Sequence, residues 1–153
     1  MQTRESYLAE HPFLKDLAPH HIAFITGCAS DIQFQEGHYI FREGEEAQYF
    51  YIIRNGKVAI ELFAPERGSL TIQTIGDGDI LGWSWLIPPH RWRFDARVIE
   101  PTTAIALDGR CLRSKCEEDH DLGYELIKRF TRVITSRLEA TRLQLLDVYG
   151  IRT

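Results

Sequence analysis

The feature that most constrains the fold is a series of short segments between residues 31 and 107 in which apolar and polar residues alternate. Alternation with a period of two is typical of β-strands that have one buried face. The segments recur about every ten residues with glycine-containing turns between them, a spacing typical of antiparallel sandwiches and rolls. The predicted strands lie near 32–34, 39–41, 49–53, 58–63, 70–75, 80–82, 94–99 and 103–107. No intervening segment has the pattern of the helical crossover that a parallel sheet needs.

Helices are predicted on both sides of the strand region. Pro12 and Pro19 suit first-turn positions of short helices, and residues 109–118 predict another short helix. Asp119 or Asp121 can cap the longer helix that follows. We therefore expect one mainly β domain with flanking helices, an antiparallel β-roll of the double-stranded β-helix or jelly-roll type. Its parts are N-terminal helices in 1–30, the roll in 31–108 and C-terminal helices in 109–149, the last of them a long dimerisation helix.

The predicted helix over 121–149 has an apolar stripe typical of a coiled coil. The stripe residues recur at steps of three and four and are Ile127, Phe130, Ile134, Leu138, Thr141, Leu145 and Val148. Such a helix is about 43 Å long, whereas a compact domain of this size is roughly 38 Å across. The helix should therefore extend beyond its own domain, and we expect a second copy to cover its stripe in a homodimer.

Composition limits the compartment and the partners. Lys and Arg number 18 against 22 Asp and Glu, so no basic excess indicates a nucleic-acid surface. No apolar run reaches the roughly 20 residues that span a bilayer, and the N-terminus lacks a secretory pattern. The three cysteines Cys28, Cys111 and Cys116 are a sparse, odd-numbered set. They predict reduced thiols and no disulfide framework, in a cytoplasmic protein with no membrane attachment.

Two motifs carry a family resemblance. Residues 41–58, FREGEEAQYFYIIRNGKV, contain an Asn-Gly hairpin signal at Asn55-Gly56, and residues 76–82 read GDGDILG. The first resembles the turn–strand–turn signature of the cyclic-nucleotide-binding domain of catabolite-activator and fumarate-nitrate-regulator proteins. The second is similar to the entry of that family's phosphate-binding cassette. The resemblance, over roughly 12–150, implies an eight-stranded roll, a C-terminal helix that pairs across a dimer, and signalling by ligand binding.

The resemblance also implies where a ligand would bind. The candidate ligand-binding residues are Gly82, Trp83, Ser84, Arg93, Phe94, Asp95, Arg97 and Thr141, the last a helix hydroxyl near the base. In the family, a glutamate after the glycine accepts the ribose hydroxyl and an arginine binds the phosphate. Here Trp83 stands at the glutamate position and Phe94 at the arginine position, with an acidic Asp95 next to it. Arg93 and Arg97 point away from Phe94 unless a one-residue bulge returns Arg93 to the site.

Three interpretations of this pocket stay open at the sequence level, because Trp83, Trp85 and Trp92 make the cassette unusually apolar. Its own side chains fill it, or it holds a flatter or less charged ligand, or rearranged arginines bind a cyclic nucleotide. We predict a non-catalytic regulatory sensor with a protein partner, in which ligand changes how the roll packs on the long helix. The alternative is a scaffold with a plugged pocket.

Other chemistry has weaker support. A cupin-like metal enzyme would need several histidines on facing strands, and only His38 lies in the strand region, near Glu36 and Glu43. Three cysteines are too few for an iron–sulfur cluster. Cys111, Cys116 and His120 have a spacing that a metal could use, but a plain helix explains them. We therefore expect no metal site and no catalytic residue. The helix-turn-helix that follows the family's dimer helix would lie beyond Thr153, so no direct DNA binding is expected.

Overall fold

A computed structural model describes residues 3–148 of the chain, with side chains described through residue 147. In chain order the elements are α1 (Arg4–Glu10), α2 (Pro19–Gly27), β1 (Ala29–Phe34), β2 (Tyr39–Phe41), β3 (Tyr49–Ala64), β4 (Gly68–Gly76), β5 (Ile80–Leu81), β6 (Asp95–Asp108), α3 (Gly109–Glu118) and α4 (His120–Val148). The predicted mainly β fold with flanking helices is confirmed. The predicted end of the long helix at residue 149 lies outside the described residues.

All strand pairs are antiparallel, as the alternating pattern predicted. The sheet has six strands in the order β1-β6-β3-β4, with β2 on β6 and β5 on β3. The count is below the eight segments predicted because β3 and β6 each join two of them. Each long strand passes from one half of the roll to the other, and register shifts accompany the change.

The prediction of a hairpin at Asn55-Gly56 is wrong. β3 continues through both residues, and the pairing with β6 only shifts register there. Gly56 has a φ of +132°, and a Cβ on it would lie 2.7 Å from the Cα of Thr102. The glycine is therefore needed for a bulge and a close approach of two strands, not for a chain reversal.

Side-chain caps define the starts of α1, α3 and α4, and a proline marks the start of α2. Thr3 accepts a hydrogen bond from the Ser6 amide, and Pro19 lies in the first turn of α2. Asp108 caps α3 by accepting from the amides of Arg110 and Cys111. Asp119 accepts from the Leu122 amide at 3.2 Å, as predicted for the start of α4.

An aromatic cluster joins α4 to the roll. Phe50 of β3, Trp85 of the loop after β5 and Phe130 of α4 are fully buried, with ring centres 5.0–5.5 Å apart. Phe13, from the segment between α1 and α2, completes the cluster 4.9 Å from Phe130. Edge-to-face contacts of this kind add to the area burial of large rings. The first half of α4 is thus part of the core.

The two faces of α4 have different environments. Phe130, predicted on the dimer stripe, packs against the chain's own roll, as do the half-buried Val133 and Arg137 three and seven residues later. The other described residues of the stripe face outward. Ile134 is half-buried, and the exposed ones are Ile127, Leu138, Thr141 and Leu145. The Val148 side chain lies outside the described residues. Within residues 3–148, no helix is both long and apolar enough to cross a membrane.

The prediction of three reduced thiols is wrong. Cys28, at the C-terminal end of α2, forms a disulfide with Cys111 in the first turn of α3. The amide of Asp108 also donates to the Cys28 carbonyl at 3.0 Å. The two cysteines are 83 residues apart in sequence, so their proximity follows only from the way β6 returns the chain beside α2. Cys116 is a free cysteine.

Candidate functional site

Trp92 covers the glycine of the predicted cassette. A Cβ on Gly82 would lie 2.5 Å from Cη2 of the Trp92 ring, and Gly82 itself has a φ of +97°. The Trp92 indole stacks on Phe41 of β2 with ring centres 3.6 Å apart and planes 5° from parallel. The indole of Trp92 therefore packs directly against the glycine of the predicted cassette.

The residues at the family's ribose and phosphate positions continue this aromatic cluster. Phe94 is buried, 5.4 Å from Phe41 and 5.7 Å from Trp83 between ring centres. Trp83 is half-buried, and Ser84 is buried. Trp83 and Phe94 offer apolar rings at the two positions where the family resemblance implies a carboxylate and a guanidinium.

Asp95 has a structural partner next to the cluster. Its Oδ1 accepts a hydrogen bond from the Glu43 amide at 2.7 Å, and the Arg42 Nε lies 3.5 Å away. The carboxylate is buried although it is charged, which requires such partners. Asp95 therefore fixes the turn after β2 to the start of β6.

The arginines of β6 and its preceding loop do not reach the aromatic cluster. Nε and Nη2 of Arg97 both donate to Oε2 of the buried Glu61, at 3.1 and 2.8 Å. This hydrogen bonding raises the pKa of Arg97. Arg93 is exposed, and no hydrogen bond or ion pair joins it to another residue in 3–148. Phe94, not Arg93, faces the interior, so no bulge returns Arg93 to the site.

A cleft of about 280 Å³ remains open between the roll and α4. Its polar wall includes Asp79 before β5 and Arg132, Ser136 and Arg137 on α4. Nη2 of Arg137 donates to the Ile80 carbonyl, while its buried Nη1 has no partner among the described residues. Burial lowers the pKa of Arg137, and the nearby Asp79 carboxylate opposes that shift.

Arg137 also contacts the cassette. Its guanidinium carbon lies 5.8 Å from the centre of the Trp83 ring, within the range of a cation–π interaction. Thr141, the helix residue predicted to contact a ligand, is exposed and donates its hydroxyl to the Arg137 carbonyl at 2.9 Å. The helix group that faces the roll is therefore Arg137, one turn before Thr141.

Sequence reasoning counted Trp92 among the rings that make the cassette apolar but did not place it against Gly82, and it missed Arg137. Trp92 has the same parity as Phe94 and Ala96, which is the inward parity of this segment, so alternation could have placed it inside. Arg137 lies seven residues after Phe130, on the helix face that packs against the roll. Because Arg137 is charged, its side chain was expected to be exposed to solvent.

Within residues 3–148, the residues considered for metal chemistry at the sequence level are not among the groups of three or more whose ligand atoms lie close together. His38, Glu36 and Glu43 are all exposed. Cys111 belongs to the disulfide and so cannot join Cys116 and His120 as a thiolate ligand.

Comparison with known proteins identifies relatives of this fold and site. Residues 31–119, more than half of the chain, match the cyclic nucleotide-binding domain family. The CRP-like cAMP-activated global transcriptional regulator of Mycobacterium tuberculosis is 28% identical over 144 residues, which cover 94% of this chain and 62% of that protein. The anaerobic regulatory protein of Bacillus subtilis is 25% identical over 125 residues, which cover 80% of this chain and 52% of that protein.

A solved structure has the same fold. The cyclic nucleotide-binding domain from Methylobacillus flagellatus superposes with a TM-score of 0.80 at 19% identity, over 94% of this chain and 84% of that one. The roll, the long C-terminal helix and the family match over residues 31–119 agree. The chain belongs to the cyclic nucleotide-binding domain family.

Proposed function

We propose that this chain is a non-catalytic regulatory sensor domain in which ligand binding changes how the roll packs on α4. The observation that carries the proposal is the contact of Arg137 with both Ile80 and Trp83. This side chain joins the signalling helix to the cassette that binds ligand in the family. A ligand that binds one arrangement better shifts the population toward it, and α4 passes the change to a protein partner.

The cleft beside Arg137 supports a class of ligand. Arg132 and Arg137 bring two guanidinium groups to it, Ser136 adds a hydroxyl, and the buried Nη1 of Arg137 lacks a partner among the described residues. A buried unpaired donor is costly, and an anionic oxygen would satisfy it. We therefore propose a small anionic ligand, with cyclic AMP and cyclic GMP as the first compounds to test. A cytoplasmic location, which the regulator relatives favour, is part of the proposal, and it makes the bond between Cys28 and Cys111 an exception to the reduced thiols usual there.

A second candidate function is an interaction module that binds no cyclic nucleotide. The indole of Trp92 over Gly82 favours it, because that ring packs against the glycine of the predicted cassette. In this case the roll is a fixed support for α4, and the module acts through its partners alone.

Calorimetric titration with cyclic AMP and cyclic GMP separates the two candidates. The sensor proposal expects binding that weakens about tenfold or more in Arg137→Gln, since a charged hydrogen bond contributes on the order of 1.5–3 kcal/mol. Arg142→Gln is the matched control, because Arg142 lies on the same helix and pairs with Glu139 at 3.4 Å, away from the cleft. Equal affinities in the two variants would remove Arg137 from the ligand site.

The second candidate expects no heat from the wild type with either nucleotide. Trp92→Ala should then restore binding, because it opens the position above Gly82. Micromolar binding by the wild type would reject the plugged pocket. No heat of binding from either the wild type or Trp92→Ala would reject the nucleotide-binding proposal.

A further inference from the structure

Three potential metal ligands meet at the surface, outside the roll. His20 and His21 lie in the first turn of α2, and Asp119 lies between α3 and α4. One ligand atom from each residue falls within 4.8 Å of the other two. Asp119 is 98 residues from His21 in sequence. No spacing pattern connects these residues, which is why the sequence alone predicts no metal site here.

Two of the three groups are already held in place. His21 is only 6% exposed, and its Nε2 lies 2.9 Å from Oδ2 of Asp119. The other oxygen of Asp119 accepts from the Leu122 amide, which orients the carboxylate. The contacts with His21 and Leu122 thus fix both oxygens of the Asp119 carboxylate beside the imidazole.

The third group is free to move. His20 is exposed, and its ring centre lies 4.1 Å from that of His21. Tetrahedral bonds of about 2.0–2.1 Å place ligand atoms roughly 3.3 Å apart. A rotation of the His20 side chain is the smallest movement that brings the three groups to this separation.

The surroundings favour a cation. The cluster lines a depression of about 420 Å³ to which Asp16, Asp121 and Glu125 also contribute. Asp16 and Asp121 add negative charge there, whereas Glu125 is paired with Lys128 and Arg129, and the open space leaves room for a water ligand. Two imidazoles and one carboxylate with an open fourth position match zinc-type sites, whereas Mg²⁺ and Ca²⁺ prefer oxygen ligands alone.

We propose that His20, His21 and Asp119 bind one divalent transition-metal ion of the zinc class, which couples α2 to the start of α4. The disulfide between Cys28 and Cys111 already fixes the other end of α2 to α3. On binding, the bond between His21 and Asp119 is replaced by two bonds to the ion. When the Nε2 of His21 carries a proton, that proton moves to Nδ1 or to water. The metal would thus stabilise the junction from which the signalling helix begins.

The test uses the whole chain, made metal-free with a chelator. Zn²⁺ is titrated by calorimetry, and Co²⁺ by visible absorption, because its d–d bands report the coordination geometry. We expect one ion per chain, a cobalt spectrum typical of low coordination number, and a higher melting temperature with Zn²⁺. His20→Ala and Asp119→Asn should each weaken binding about tenfold or more, the loss typical of altered metal shells.

His120→Ala is the matched control. His120 is adjacent to Asp119 in sequence, but it lies outside the cluster, so the variant should bind Zn²⁺ like the wild type. Circular dichroism of each variant separates loss of binding from loss of fold. The proposal fails if the wild type gives neither heat nor cobalt bands, if His20→Ala binds as tightly as the wild type, or if His120→Ala loses the ion.

Discussion

At the scale of single residues, His11 shows how one proton can matter for stability. Its Nε2 lies 2.8 Å from the Gly78 carbonyl, and its Nδ1 accepts from the Phe13 amide at 3.0 Å. Only the neutral ring with the proton on Nε2 satisfies both partners. Burial lowers the pKa of His11, although the Gly78 carbonyl and the Asp79 carboxylate oppose the shift.

Acid should therefore destabilise the fold through His11. Its folded pKa lies below its unfolded pKa, so the unfolded chain takes up more protons as the pH falls below about 6.5. The contribution of His11 is fully present above that pH and is lost below it. We expect the free energy of unfolding, measured by urea titration from neutral to mildly acidic pH, to fall less steeply in His11→Gln. His38→Gln, at an exposed site, should keep the wild-type slope, and equal slopes in all three proteins would contradict the assignment.

A second residue-scale prediction concerns the indole that covers Gly82. Gly82→Ala places a methyl group 2.5 Å from the Trp92 ring and forces alanine to a φ of +97°. We expect a loss of about 2–4 kcal/mol in unfolding free energy, from backbone strain and overpacking together. Chemical denaturation measures it.

Gly78→Ala is the control for Gly82→Ala. Gly78 has a similar φ of +84°, but a Cβ added to it would meet no atom of the described residues within 4 Å, so only the strain of about 1 kcal/mol remains. Combining Gly82→Ala with Trp92→Ala should relieve the steric part, as a double-mutant cycle would show. Equal losses in Gly82→Ala and Gly78→Ala would mean that Trp92 does not press on Gly82.

The sequence predicted the elements better than the contacts between them. Alternation and glycine turns identified the antiparallel roll, and the motifs at 41–58 and 76–82 indicated the family that residues 31–119 match. The absence of the usual polar groups at Trp83 and Phe94 was also visible. The stack of Trp92 on Phe41 and the meeting of Cys28 with Cys111 depend on long-range packing. Local pattern does not encode such pairs.

At the scale of elements, β3 shows why local turn signals can fail. Asn55-Gly56 favours a two-residue hairpin, yet β3 pairs with β6 on both sides of it. The long-range ladder supplies hydrogen bonds along both halves of β3, which a reversal at Asn55 would remove. Gly56 instead forms a bulge in β3, and the bulge redirects the strand around the roll.

The disulfide between α2 and α3 leads to a stability prediction. It closes a loop with a sequence separation of 83 residues. A crosslink of this length lowers the conformational entropy of the unfolded chain, which stabilises the fold by about 4 kcal/mol. We expect Cys28→Ser with Cys111→Ser, or reduction of the wild type, to lower the melting temperature by several degrees or more. Scanning calorimetry with and without a phosphine reductant measures the effect.

Cys116→Ser is the control for the crosslink, because Cys116 is a free cysteine. This variant should still lose stability on reduction, whereas the double variant should not respond. Thiol titration of the unfolded, unreduced wild type should find one free thiol per chain. Three free thiols would show that the bond does not form.

At the scale of the whole molecule, α4 has two apolar surfaces with different environments. One face contributes Phe130 and Arg137 to the chain's own core and cleft. The adjacent face presents Ile127, Leu138 and Leu145, each more than half exposed. A helix of 29 residues is about 43 Å long, so its second half extends past the aromatic cluster. We infer that a second copy covers this stripe, which would place the sensor cleft next to the dimer axis.

The dimer prediction can be tested with two leucines of equal exposure. Leu145 lies on the predicted stripe and Leu143 nearly opposite to it around the helix, and both are 55% exposed. Leu145→Glu should weaken self-association about tenfold or more, because a charge in an apolar seam costs on the order of 1.4 kcal/mol or above. Leu143→Glu changes the same side chain without touching the seam, so its dimer constant should match that of the wild type. Sedimentation equilibrium over a range of concentrations measures the dimer constants of the wild type and both variants. A wild-type mass of one subunit at every concentration would exclude pairing through this stripe. Equal weakening in both variants would exclude it as well.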